Sequence, residues 1–197
     1  MIVEFVGQNF RGMMTSLQQR YGFEMTPSEL DDYVRREEDV VIGKLKEKLQ
    51  PCEGVDEVLE KLEKEGRYKM AVVSSSALRR VTASVEKVGQ AKYFGPRIYS
   101  AATSLEKPTS KPDPAIYLHA MKDLGVSAEE CVAVEDSKSG TLSGTRAGIK
   151  VIGYVGPYGE EEKEKMEGIL REAGAVVIMR DWKEFEGIMD KLQGGSV

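Results

Sequence analysis

The chain of 197 residues has few of the side chains from which several classes of functional site are built. It has one histidine, His119, and two cysteines, Cys52 and Cys131, and neither cysteine stands in the spacing of a metal-ligand motif. A zinc site rich in histidine is therefore excluded, as is any catalytic triad that does not use His119. Two cysteines also argue against a disulfide framework, so we expect a reducing compartment.

Long apolar runs and blocks of basic residues are missing as well. No apolar stretch approaches the length of a membrane-spanning helix, and residues 1–8 do not form the basic and apolar regions of a secretory signal. The net charge is −5, and lysine and arginine are interleaved with acids, which argues against nucleic acid and anionic membranes as partners. We therefore expect a cytoplasmic protein that binds neither nucleic acid nor membrane.

Helix signals fill the first quarter of the chain. Apolar residues from Phe10 to Leu17 recur at positions i, i+3, i+4 and i+7, the pattern of one amphipathic face. Residues 26–29, Thr-Pro-Ser-Glu, match the start of a second helix, with the threonine as N-cap and the glutamate closing a capping box. Pro51 ends that helix. We predict a small all-helical domain over residues 1–50.

Beyond Pro51, helical and strand patterns alternate. The predicted strands are short apolar runs at residues 69–73, 98–100, 131–134, 151–155 and 175–179. Alternation at this spacing predicts a parallel sheet with helices on both faces, because parallel strands are joined by crossover connections. The fold class predicted for residues 51–197 is therefore α/β, a three-layer Rossmann-like domain.

Polar residues at the ends of two predicted strands are candidates for ligand binding, because ligands of open α/β sheets bind outside the carboxyl ends of the strands. Residues 74–76, three serines, bring hydroxyls and free backbone N–H groups together, as an anion site or as a helix N-cap. Glu135 and Asp136 suit a hard divalent cation such as Mg²⁺. The alternative for this pair is an acidic helix N-terminus with Asp136 or Ser137 as the cap.

Lys111 lies in a proline-rich loop between Pro108 and Pro112. Prolines restrict the path of the backbone, so the ammonium group can be aimed with little loss of conformational entropy. A lysine in this position is a compact charge that neutralises a phosphate or a carboxylate pair. The alternative is a solvated surface lysine, and Lys107 has a similar context.

In this order, the serines, the loop lysine and the acid pair resemble the motifs of the haloacid dehalogenase (HAD) superfamily, in particular its subgroup with a helical cap after the first strand. Residues 72–75, Val-Val-Ser-Ser, resemble the second motif of that family. Residues 110–114, Ser-Lys-Pro-Asp-Pro, resemble the third, and residues 134–140 resemble the fourth. The resemblance covers nearly the whole chain and implies that residues 1–50 are the cap of a HAD core over residues 51–197.

The resemblance implies a role for each matched residue. Ser74 and the backbone N–H of Ser75 would hold a phosphoryl group, with Lys111 as the catalytic cation. Asp136 would be a ligand of Mg²⁺, and Glu135 an assisting acid. The implied activity is that of a Mg²⁺-dependent phosphatase acting on a small phosphorylated metabolite.

One part of the family pattern is missing from the sequence. The first motif, Asp-x-Asp, supplies the nucleophile and the general acid/base of the family, and no Asp-x-Asp occurs anywhere in the 197 residues. In the family, its strand lies mid-sheet between the strands that bear the second and fourth motifs. Residues 1–6 are apolar enough for a strand, but they carry Glu4 alone. Residues 5–11 resemble the early cap instead, which makes Arg11 a candidate for substrate specificity.

The resemblance therefore implies a core that lacks its first strand and a chain that is impaired as a phosphatase. Two alternatives stand beside this expectation. The first is a non-catalytic protein that binds a phosphorylated ligand, or has a regulatory role, on a HAD scaffold. The second is a truncated gene product whose true start lies upstream of Met1.

Overall fold

The helix signals near the N-terminus form two helices in the computed structural model, which describes residues 10–194. Helix α1 spans Phe10–Tyr21 and helix α2 spans Pro27–Lys48. Thr26 caps α2, because its Oγ1 accepts the Glu29 N–H at 3.2 Å and its own N–H donates to Glu29 Oε2 at 2.8 Å. The predicted capping box is confirmed, and it sets the start of α2.

The chain divides into two units between Leu49 and Gln50. In the first unit, neither α1 nor α2 has a buried residue. Most of the stability of a helix in a protein comes from packing of its apolar face, so these two helices have little core of their own. The role of this unit as a cap stays a prediction.

The second unit contains the predicted alternation of helices and strands. Its strands are β1 Val72–Ser74, β2 Ile98–Ser100, β3 Val132–Glu135, β4 Lys150–Tyr154 and β5 Val177–Met179. Its helices are α3 Val55–Glu65, α4 Leu78–Lys87, α5 Ala91–Phe94, α6 Ala115–Leu124, α7 Lys138–Arg146, α8 Glu160–Glu172 and α9 Phe185–Gln193. Across residues 10–194, no helix combines the length and the apolar character needed to cross a membrane.

The strands of the described residues pair in parallel and form two sheets. In one sheet β1 pairs with β2, and Val73 lies opposite Tyr99. In the other sheet β4 lies between β3 and β5, and Val134 lies opposite Ile152. Helices connect successive strands, as parallel pairing requires. The predicted α/β class with parallel strands is confirmed.

Apolar side chains from the two sheets pack into common clusters. One cluster contains Tyr99, Ile116, Tyr117, Ala133 and Val151, which come from β2, α6, β3 and β4. Trp182 packs against a second cluster that includes Met70 and also against a third that includes Ile152. These shared clusters hold the two sheets together, although no strand pairing joins them within residues 10–194.

Residues 10–194 contribute no strand between β1 and β3. Within this range β1 pairs with β2 alone, and β3 pairs with β4 alone. This is the position at which the resemblance places the first strand of the family. Residues 1–6, whose apolar content permits a strand, lie outside the described residues.

Two strands end one residue later than their apolar patterns predict, although β1 also begins three residues later, at Val72. β1 ends at Ser74 instead of Val73, and β3 ends at Glu135 instead of Val134. The reason is pairing, since each of these polar residues lies opposite a residue of the neighbouring strand. Both extensions place a predicted site residue on the last position of a strand.

Helix α7 begins at Lys138, two residues after the acid pair. Ser137 is its N-cap, and Ser137 Oγ accepts the N–H of Gly140 at 3.0 Å. The capping alternative is therefore confirmed for Ser137, and capping is not the role of Asp136.

Candidate functional site

Lys111 is the residue at which the predicted site residues meet. Its Nζ donates to the carbonyl of Val73 in β1 at 2.9 Å and forms an ion pair with Glu135 Oε1 at the end of β3. Its backbone N–H donates to Ser75 Oγ at 3.0 Å. The side chains of Lys111 and Glu135 are only 9% and 8% exposed, so the alternative of a solvated surface lysine is wrong. Lys111 joins the ends of β1 and β3.

The Glu135 carboxylate is enclosed by three residues. Its Oε1 accepts from Lys111 Nζ and from the hydroxyl of Tyr117, and its Oε2 lies against Gly140. Desolvation of a carboxylate is unfavourable, and these two donors offset it. Burial first, and then the charge of Glu135, raise the pKa of Tyr117 well above its usual value, so the Tyr117 hydroxyl keeps its proton and donates.

Hydrogen bonds hold the three serines of residues 74–76, which begin on the last residue of β1. Ser74 Oγ accepts the N–H of Ser76 at 3.1 Å, and Ser75 Oγ accepts the N–H of Lys111. Ser100, which is fully buried, donates from Oγ to the carbonyl of Ser76 at 2.7 Å. Because Ser74 and Ser75 act as acceptors in these bonds, each keeps its own O–H to donate to an anion.

None of these serines caps the helix that follows. The N-cap of α4 is Ala77, and it has no side-chain capping bond. Thr103 Oγ1 accepts the N–H of Leu78 at 3.0 Å and so satisfies one free group of the first turn. The capping alternative for residues 74–76 is therefore wrong, and their part in an anion site stays a prediction.

Asp136 differs from its neighbour Glu135 in exposure and in partners. It is exposed, and its backbone carbonyl accepts the hydroxyl of Tyr158 at 2.9 Å. Burial, and then the charge of Asp136, raise the pKa of the Cys52 thiol. Of the two acids, Asp136 is the one that faces solvent.

The acids of the site match only part of a magnesium ligand set. The structure, over residues 10–194, has no group of three or more histidine, cysteine, aspartate or glutamate residues that could hold a metal ion. Mg²⁺ commonly takes one or two carboxylates and completes its shell with substrate phosphates and water. Asp136 fits such a partial set, whereas Glu135 Oε1 is already engaged by two donors.

Gly140 provides the space that the Glu135 carboxylate occupies. A Cβ at this position would overlap the carboxylate and would lie 2.9 Å from Ser137 Oγ. We expect Gly140→Ala to lower the free energy of unfolding by about 1–3 kcal/mol, because a buried charged group must move. Chemical denaturation measures this change.

Gly168 is a matched control for that substitution. It is an exposed glycine inside helix α8, and a Cβ there would meet nothing within 4 Å. Gly168→Ala should raise stability by about 0.5–1 kcal/mol, because alanine favours the helix. Equal effects of the two substitutions would contradict the close contact between Gly140 and Glu135.

Arg11 lies in the first unit and has a partner there. Its guanidinium forms an ion pair with Asp31 of α2, and both side chains are about half exposed. Its predicted part in substrate specificity stays a prediction.

The sequence does not single out Tyr117, although it contacts two predicted site residues, Lys111 and Glu135. It lies in an apolar helix pattern, in which an aromatic ring is typical of the core. The available signal was its hydroxyl, since a buried tyrosine usually finds a hydrogen-bond partner. His119, the single histidine of the chain, packs edge-on against Tyr99, with ring centroids 5.9 Å apart.

Comparison with known proteins gives a consistent picture. The family described as haloacid dehalogenase-like hydrolase matches residues 1–154. A phosphorylated carbohydrates phosphatase from Thermotoga maritima is 31% identical over 151 residues, which are 77% of this chain and 65% of that protein. A 6-phosphogluconate phosphatase from Escherichia coli is 35% identical over 82 residues, which are 42% of this chain and 36% of that protein.

A solved structure of a HAD family hydrolase is also similar to this chain. The crystal structure of a HAD family hydrolase from Deinococcus radiodurans, with bound phosphate and sodium, matches with a TM-score of 0.67 at 27% identity. The match covers 96% of this chain and 78% of that one. The chain spans about two thirds of the Thermotoga relative and about a third of the Escherichia relative.

Proposed function

The chain belongs to the haloacid dehalogenase-like hydrolase family, and on that premise we propose that its second unit holds the phosphoryl group of a small phosphorylated metabolite together with Mg²⁺. In its complete form this is the site of a phosphatase. The 197 residues contain no Asp-x-Asp, so the polypeptide itself is proposed to be impaired in turnover. The observation that carries the proposal is the position of Lys111, which is buried between the end of β1 and Glu135.

The donors around Lys111 suit a phosphoryl group. An ammonium group has three N–H donors, and two of them are used by the carbonyl of Val73 and by Glu135. The third remains for a phosphoryl oxygen. The hydroxyls of Ser74 and Ser75 add two further donors close by, since Ser75 already contacts Lys111. Charge-assisted bonds of this kind are stronger than neutral ones.

Asp136 is proposed as the protein ligand of Mg²⁺. Its carboxylate is exposed at the end of β3, and a phosphoryl oxygen and water would complete the shell. The ion supplies neutralisation of phosphate charge when it is bound. Glu135, predicted as an assisting acid, is proposed to act as the counter-ion that orients Lys111, because both partners are buried.

The relatives support this substrate class. The two sequence relatives are named for phosphatase activity on phosphorylated carbohydrates and on 6-phosphogluconate, and the Deinococcus structure contains phosphate. The chemistry of the family requires a nucleophile, which a carboxylate of the Asp-x-Asp motif supplies. Without it, the side chains of this chain bind and orient a phosphoryl group but do not attack phosphorus.

Isothermal titration calorimetry with inorganic phosphate and with a panel of sugar phosphates, each with and without MgCl₂, tests the proposal. We expect Asp136→Asn to weaken the Mg²⁺-dependent part of phosphate binding on the order of tenfold or more, since even outer partners of metal sites contribute that much. Asp190→Asn changes an exposed aspartate of α9 and is the matched control. Phosphate binding that changes neither with MgCl₂ nor with Asp136→Asn would contradict the proposal that Asp136 binds Mg²⁺.

A non-catalytic binding or regulatory role is the second candidate. The absence of Asp-x-Asp from the 197 residues favours this role as well, and the role predicts binding of a phosphorylated ligand without turnover. Calorimetry that detects tight binding of one sugar phosphate, together with an absence of phosphate release, would support it over a hydrolase.

A further inference from the structure

Tyr117 contacts both members of the buried ion pair. Its hydroxyl donates to Glu135 Oε1, the same oxygen that pairs with Lys111. Its ring lies beneath the ammonium, with Lys111 Nζ 5.0 Å from the ring centroid. A cation at this distance from an aromatic face is attracted to it. One side chain therefore restrains the carboxylate by its hydroxyl and the cation by its ring.

The backbone around Tyr117 and Lys111 is held on several sides. Ser143 Oγ, fully buried in α7, donates to the carbonyl of Asp113 at 2.7 Å. Arg146 donates to the carbonyl of Pro112 at 3.0 Å. These bonds fix the segment between Lys111 and the start of α6, so the position of Tyr117 is set by the fold and not by the ion pair alone.

We propose that Tyr117 is a positioning residue for phosphoryl binding, which holds Lys111 and Glu135 so that the remaining N–H of the ammonium faces the phosphoryl site. This inference rests on the proposed function of the site. Without the Tyr117 hydroxyl, Glu135 Oε1 keeps Lys111 as its one donor, and the pair can rotate away from the orientation that suits phosphate.

The alternative is that Tyr117 is simply a core tyrosine whose hydroxyl has found a hydrogen-bond partner. Tyr99 is such a tyrosine, and it serves as the control. It belongs to the same cluster, is similarly buried, and donates to Asp123 Oδ2 at 2.6 Å. Burial, and then Asp123, raise the pKa of Tyr99 to about 12. Loss of its hydroxyl removes the same kind of bond without touching Lys111.

The experiment compares Tyr117→Phe with Tyr99→Phe in the full chain by phosphate calorimetry with MgCl₂ and by chemical denaturation. We expect Tyr117→Phe to raise the Kd for phosphate on the order of three- to tenfold, part of the effect of one hydrogen bond to a charged group. Tyr99→Phe should lower stability but leave this Kd unchanged. An unchanged Kd in folded Tyr117→Phe, or an equal rise in Tyr99→Phe, would overturn the inference.

A second variant keeps the test decisive if Tyr117→Phe does not fold. Replacement of Tyr117 by para-aminophenylalanine retains the ring and an N–H donor, so phosphate should bind as it does to the unchanged protein. Weakened binding in this folded variant would also overturn the positioning role. If the unchanged protein binds no phosphate at all, the proposed function itself fails, which is a distinct outcome.

Discussion

The purified 197-residue protein is expected to release phosphate from sugar phosphates at a rate several orders of magnitude below that of a phosphatase with an intact first motif. The expectation rests on the 197 residues, which contain no Asp-x-Asp, because removal of a catalytic group that acts as a unit with its partners typically lowers kcat by about 10³-fold or more. Ser74, Lys111 and Asp136 are proposed to hold a phosphoryl group, but none of them replaces an attacking carboxylate in line with phosphorus. A phosphate-release assay with MgCl₂ and a panel of sugar phosphates measures the rate.

The control for this assay is Asp136→Asn. Residual release that is unchanged by the substitution comes from a contaminant or from another site. Ordinary turnover that depends on Asp136 would contradict the expectation, and it would mean that another group of the chain attacks phosphorus.

Replacement of Lys111 is expected to have the largest effect on stability. Lys111→Met leaves Glu135 buried with one donor, Tyr117, and loss of one partner from a buried pair typically lowers stability by about 3–5 kcal/mol. Phosphate binding should be lost together with the ammonium. Denaturation curves and phosphate calorimetry report the two effects separately.

Two further variants show whether the unpaired, buried charge of Glu135 causes the loss of stability. Lys107→Met removes an exposed lysine of the same loop and should change stability by no more than about 0.5 kcal/mol. Lys111→Met combined with Glu135→Gln should regain a large part of the lost stability, because no unpaired charge stays buried. The double variant should still fail to bind phosphate. A Lys111→Met protein as stable as Lys107→Met would contradict the buried pair.

The fold class could be predicted because its signals are local. Apolar runs separated by helical patterns predicted the parallel strands, and the capping box at Thr26 predicted the start of α2. The order of the serines, Lys111 and the acid pair along the chain carried the resemblance to the HAD motifs, which implied that these segments share one site. In the structure Lys111 contacts Val73 and Glu135.

What could not be predicted depends on contacts between distant residues. Glu135 and Asp136 are adjacent in sequence, and the sequence does not distinguish their environments. In the fold, Glu135 is buried and paired with Lys111, whereas Asp136 is exposed. Tyr117 lies in a helix whose pattern is that of a core face, and the path of the chain alone brings its hydroxyl to Glu135.

The capping alternatives also required the structure. Ser137 caps α7, whereas the serines after β1 cap nothing, although both segments read as a strand followed by polar residues and a helix. The difference arises because Ala77 and not a serine stands at the start of α4. A serine favours the N-cap position, but it caps a helix only if the helix begins directly after it, and that boundary is not fixed by local sequence.

One measurement tests the central claim, which is a phosphoryl site without its nucleophile. ³¹P NMR of the protein with MgCl₂ and the sugar phosphate that binds most tightly in calorimetry observes binding and hydrolysis in the same sample. We predict a shifted or broadened phosphate ester signal that persists for hours, with no growth of the inorganic phosphate signal, and loss of the shift in Lys111→Met. Steady conversion of the ester to inorganic phosphate, absent in Asp136→Asn, would contradict the claim.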